Sequence, residues 1–144
     1  MAVDLASAAP LLARGRPAAH RLVRGIAPDL LFTTAAEAAA FLGDADLSGL
    51  LTLAPVAVVK RGAGGATLLA RQGMGPALRL EVATRPVAPA DTTGAGDAFD
   101  AGFLAAWLAG DRAMTPAILR RAVVAGHRAA ARQLSSWRPE LVLG

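Results

Sequence analysis

The sequence predicts an α/β layered sheet. Three features carry that prediction: short apolar runs alternate with stretches whose apolar residues recur at helical spacing, glycine and proline clusters separate them, and 54% of the 144 residues are apolar against 18% charged. Strands that alternate with helices build sheets covered by helices. The apolar share suffices for a packed core and excludes disordered, collagen-like and coiled-coil chains. The length corresponds to one domain, expected to span residues 1–144 as one compact unit.

Taken in order, Ala2 to Leu5 reads as a short strand, followed by a turn over Ser7 to Pro10. Pro17 to Arg24 is expected as a helix with Ala18, Leu22 and Val23 inward, Asp29 to Phe32 as a short apolar strand, and Ala35 to Leu42 as an alanine-rich helix closed by Gly43. Pro55 then opens the β-branched run Val56 to Val59, and Gly62 to Gly65 turns the chain. Ala66 to Ala70 returns, Gly73 to Pro76 turns again, and Leu78 to Ala83 alternates as a strand with one solvated face. After the proline-rich stretch 85–89, a glycine-bearing turn leads into a helix from Ala95 to Leu108, with Trp107 in the core. A last helix runs from Pro116 to Leu134.

Charge and cysteine content narrow the function. The net charge is +4, carried by 14 arginines and the single lysine Lys60, with no run of five basic residues and only six aromatics, which points away from nucleic acid. Without cysteine there are no disulfides, thiolate zinc sites or cysteine nucleophiles, and His20 and His127 alone do not make a histidine-rich metal site. The stretch after Met1 lacks the basic start and long apolar core of a signal peptide, and no apolar run reaches the roughly 18 residues of a membrane span. The expectation is a cytoplasmic protein with no membrane partner.

The segment that carries chemistry is Asp91-Thr92-Thr93-Gly94-Ala95-Gly96-Asp97, running into the apolar helix that begins Ala98-Phe99. Glycines ahead of a helix permit positive φ and bare main-chain N–H groups at its positive end. Such a loop holds an anion, typically phosphate. Asp97 adds a carboxylate at the helix start, where a hydroxyl beside the held phosphate could give up its proton. The same residues also fit a plain helix cap and turn, so two readings stand on the residues alone. Neither a Walker A loop nor a dinucleotide fingerprint is present.

This stretch, Asp91 to Phe99, resembles the DTxGAGDxF signature of the ribokinase-like, or PfkB-type, carbohydrate kinases. The resemblance implies a ribokinase-like, Rossmann-type layered sandwich. It also implies an ATP-dependent transfer of the γ-phosphate to a sugar or nucleoside hydroxyl, with Asp97 as general base and Gly94, Ala95 and Gly96 as the anion hole. Asp91 and Thr93 match positions that in many members help hold a monovalent cation such as K+. The segment Val58 to Ala66 is similar to the family's strand and glycine turn along the nucleotide phosphates, which assigns Lys60, Gly62 and Gly65 to the nucleotide. Thr34-Ala35-Ala36-Glu37 stands where the family usually has Asn-x-x-Glu, implying that Glu37 supports Mg2+ through water. Thr34 and Glu37 equally make a capping box. His127 falls where relatives pack near adenine, against the alternative of a structural histidine in an apolar helix.

The resemblance covers about Val3 to Leu134 and maps onto the C-terminal half of a family domain, without the half that carries the sugar site and lid. A sheet cut in this way exposes an apolar edge, which suggests a homo-oligomer or a complementary chain. The alternative reading is a non-catalytic truncated kinase fragment that binds nucleotide or a partner chain.

Overall fold

The structure is a computed structural model and describes residues 1–6, 8–87 and 92–135. Its elements run β1 (Ala2–Asp4), α1 (Ala8–Leu12), α2 (Arg16–Ile26), β2 (Leu30–Thr34), α3 (Ala35–Leu42), β3 (Val56–Lys60), β4 (Ala66–Ala70), β5 (Leu78–Val82), α4 (Ala95–Leu108) and α5 (Pro116–Ser135). The chain divides into two compact units, Met1–Ala83 and Thr84–Gly144. The reason is local. All five strands close into one sheet before residue 84, and the two long helices that follow pack on each other.

The first unit is a five-stranded sheet in the order β1-β2-β3-β4-β5. β1, β2 and β3 are parallel, joined through helices as parallel strands must be. β4 and β5 return antiparallel across short turns. Val56 to Val59 are buried at every position, as befits a central strand covered on both faces. β5 alternates buried and exposed residues, the pattern of a strand with one wet face. Leu31, Ala57 and Val59 from the sheet meet Ala19 and Val23 of α2, Ala38 and Phe41 of α3, and Leu50 and Leu53 in one apolar cluster.

Most of the expected elements are found within a residue or two, and three differences are informative. Ala8 to Leu12 is a helix where a turn was expected over Ser7 to Pro10; Ser7 itself lies outside the described residues. Pro10 is the third residue of that helix, in the first turn, where its missing N–H costs nothing. Leu22 is exposed at 57% rather than inward, because Ala19 and Val23, four residues apart, define the buried face of α2. A 3-10 turn over Leu47–Thr52, capped by the Asp46 carboxylate on the Ser48 amide, buries Leu50 in a stretch read as connection.

The second unit, as described, is a helical hairpin of α4 and α5. Phe99, Phe103 and Trp107 of α4 and Leu119, Ala122, Val123 and Gly126 of α5 form its buried stripe, with Trp107 in the core as expected. A Cβ at Gly102 would lie 2.7 Å from the Ala129 Cβ and 2.8 Å from the Ala125 carbonyl oxygen. At Gly126 it would lie 2.9 Å from the Phe99 ring. The missing side chains set how near the two helices run. Among the described residues no helix is long and apolar enough to cross a membrane.

Candidate functional site

The start of α4 is built by a turn. The Ala95 N–H donates to the Thr92 carbonyl at 3.2 Å, and Gly94 between them sits at φ 76, ψ 2. Thr93 is not among the residues of positive φ, so this is a type II turn, whose third position calls for glycine. The Gly94 carbonyl accepts from the Ala98 N–H at 2.9 Å and opens the helix. No side chain caps it. Among the described residues, the amides of Gly96 and Asp97 therefore meet no acceptor.

Asp97 is the third residue of the helix and exposed, not its cap. Its carboxylate stands beside amides that an incoming anion would find open, and it has no side-chain partner among the described residues. The arrangement can hold a negatively charged oxygen and offer a base next to it. Asp91 lies outside the described residues.

Thr93, expected with Asp91 to help hold a monovalent cation, has its carbonyl oxygen accepting from Gln133 Nε2 of α5 at 3.2 Å. Two residues along α4 from Asp97, Phe99 meets His127 at 5.3 Å between ring centres. Burial pushes the His127 imidazole below its ordinary value, and its Nε2 is buried with no hydrogen-bond partner among the described residues. A neutral ring with one unmet polar atom is able to receive a partner.

In the sheet unit the expected residues are largely engaged with one another. Thr34 and Glu37 form the capping box: Glu37 Oε2 accepts from the Thr34 N–H at 2.8 Å, and the Glu37 N–H donates to Thr34 Oγ1 at 3.2 Å. The capping reading of Glu37 is thereby found in the structure. Lys60 Nζ pairs with Asp4 Oδ2 at 2.8 Å, in a site where the side chains are 12% and 23% exposed, and lies 5.6 Å from the centre of the Phe32 ring. Gly65, at φ 85 and ψ −141, is where a Cβ would lie 2.2 Å from the Val82 carbonyl oxygen, so the approach of β5 accounts for this glycine. Gly62 has open space beside its Cα.

Sequence reasoning missed Asp4 and Gln133. An acidic residue closing a strand is the only signal for Asp4. A lone glutamine near a helix end gives none.

A glycine-led helix start with an adjacent carboxylate, together with a parallel sheet finished by an antiparallel hairpin, defines a chain of the ribokinase fold. Solved structures that it resembles include the nucleoside kinase of Methanocaldococcus jannaschii, an archaeal member of the ribokinase family. That match has a TM-score of 0.74 and 18% identity over 94% of this chain and 41% of that one. An adenosine kinase from Sinorhizobium meliloti matches with a TM-score of 0.71 and 24% identity over 94% of this chain and 39% of that one. A fructokinase double mutant from Vibrio cholerae O395, with fructose, ADP and potassium ion bound, matches at 0.66 and 24% over 84% and 38%. The chain belongs to the pfkB family of carbohydrate kinases, whose model matches residues 4–136 across both units. No curated protein matches it in sequence. It spans about two fifths of the length of the solved structures it resembles.

Proposed function

We propose that residues 1–144 are the nucleotide-binding and catalytic part of an ATP-dependent kinase domain that phosphorylates a sugar or nucleoside hydroxyl. The observation that carries this reading is the exposed Asp97 carboxylate beside the amides of Gly96 and Asp97 at the start of α4, which meet no acceptor among the described residues. In this reading Gly94, Ala95 and Gly96 shape the anion hole, and Asp97 takes the proton of the acceptor hydroxyl as the hydroxyl oxygen bonds to the γ-phosphorus of ATP and the bond from that phosphorus to the β–γ bridging oxygen breaks, releasing ADP. Negative charge that grows on the phosphoryl oxygens is met by fixed N–H dipoles, which need no reorganisation. His127 receives the base of the nucleotide, and Lys60, Gly62 and Gly65 serve its phosphates, with Gly62 the most open of the three. Glu37 holds water of a Mg2+ ion, which when bound neutralises phosphate charge. The protein is read as cytoplasmic, with a second copy or a complementary chain at the sheet edge.

The test is ADP release from ATP across a panel of sugars and nucleosides. Asp97→Asn is expected to lower the rate by roughly 10²–10⁴-fold with an unchanged melting temperature. Equal turnover in that variant would remove Asp97 from the chemistry. A second reading, a non-catalytic fragment that binds nucleotide, is favoured by the two-fifths coverage of its relatives. Calorimetric ATP binding with no acceptor consumed selects it.

A further inference from the structure

We infer that Gln133 is a positioning residue: its side-chain amide holds the Thr93 carbonyl and so helps fix the turn at the start of α4. The inference rests on reading that turn as an anion hole.

Thr93 and Gly94 are the two central residues of the type II turn, and the peptide between them is what distinguishes type II from type I. Flipping that peptide reverses the Thr93 carbonyl and the Gly94 N–H together and moves Gly94 out of its positive φ. Whatever holds the carbonyl therefore also aims the Gly94 N–H. The carbonyl can only accept, so the nitrogen end of the Gln133 amide faces it, at 3.2 Å.

The reach of Gln133 follows from helix geometry. Gly126 lies against Phe99 and Ala129 against Gly102, so this face of α5 packs on α4, and Gln133 is the next position along it, seven residues after Gly126. Close packing at the two glycines fixes the distance, and the amide spans what is left.

Hydrogen exchange and calorimetry test this on the full chain. Gln133→Glu is isosteric but, when ionised, lacks the donor, whereas Gln133→Lys keeps one. The glutamate variant is expected to exchange the Ala95 amide up to about tenfold faster, with the Phe103 amide and the melting temperature unchanged. The lysine variant should stay within about twofold of wild type. Gln133→Glu should bind ATP about fivefold more weakly than wild type. Unaltered Ala95 exchange in Gln133→Glu overturns the inference. If wild type binds no ATP while the exchange difference persists, the positioning role stands and the kinase reading falls.

Discussion

Polar groups are used up in the sheet of Met1–Ala83 and left open in the helices of 92–135. In the sheet, Lys60 closes on Asp4, Glu37 on Thr34, and the space beside Gly65 is filled by the Val82 carbonyl. In the hairpin, Asp97 is exposed, two amides beside it have no acceptor, and His127 Nε2 is buried without one, all among the described residues. A fold satisfies its buried polar groups wherever it can. The amides left open at the start of α4 and the buried His127 Nε2 are therefore the more informative features among the described residues, while the sheet residues already have a structural account.

Glycine shows the same division. Gly65→Ala should cost about 3 kcal/mol or more, since its Cβ would fall 2.2 Å from a main-chain oxygen that the strand register fixes, in a conformation that only glycine adopts freely. Chemical denaturation measures it. Gly62→Ala, with open space and φ 55, should lose only about 1 kcal/mol, and equal losses at the two positions would erase the contrast.

In the hairpin, Gly126→Ala should cost roughly 1–3 kcal/mol, because a Cβ would meet the Phe99 ring and carbonyl at 2.9 Å. The overlap is milder than the 2.2 Å approach at Gly65 and Gly126 is not at positive φ, so the loss should be smaller than at Gly65. The same variant should disturb the His127 environment, visible as a raised imidazole titration midpoint.

The link between α4 and α5 gives a smaller effect in the opposite direction. Asp111 and Arg112 are consecutive non-glycine residues at φ 54. Asp111→Gly relieves that conformation and should stabilise by roughly 0.5–1 kcal/mol net of the chain entropy lost. A lower melting temperature would show that the Asp111 side chain contributes more than its backbone costs.

The smallest effects lie in pH, and they separate the two units. Burial pushes His127 below its ordinary 6.5, so the neutral form is favoured on folding. Its contribution is present above pH 6.5 and lost as pH falls through the lowered value. His127→Phe should flatten stability between pH 7 and 5. For Glu81, burial pushes the carboxyl up, but the Thr67 hydroxyl and the Arg61 and Arg79 guanidinium groups outweigh it and hold the group below its ordinary 4.5. That contribution is present above pH 4.5 and lost below it, so Glu81→Gln should change only the acid limb of the stability curve. A response of both variants in the same pH range would break the comparison.

Local signals were strong where a single element decides its own form. Ala35 to Leu42 with Thr34, Glu37 and Gly43 around it, Ala66 to Ala70, and Ala95 to Leu108 were all legible from period, cap and glycine, since those cues act within one helix or strand. The glycine turn and the place of Asp97 in the first turn of α4 were legible too, because both are set by consecutive residues. Leu22 was misjudged because the inward face of α2 depends on which neighbour covers it, and Leu50 was passed over because a 3-10 turn leaves little periodic trace.

The sequence by itself thus determined most of the order of strands and helices and the place of the glycine turn ahead of α4, because propensity, capping and positive φ are properties of neighbouring residues. Only the tertiary structure decided that Lys60 closes on Asp4, that Gly65 answers to Val82, and that Gln133 reaches Thr93. Those partners lie 56, 17 and 40 positions apart. Contacts across such separations are set by sheet register and helix packing, which no local pattern records.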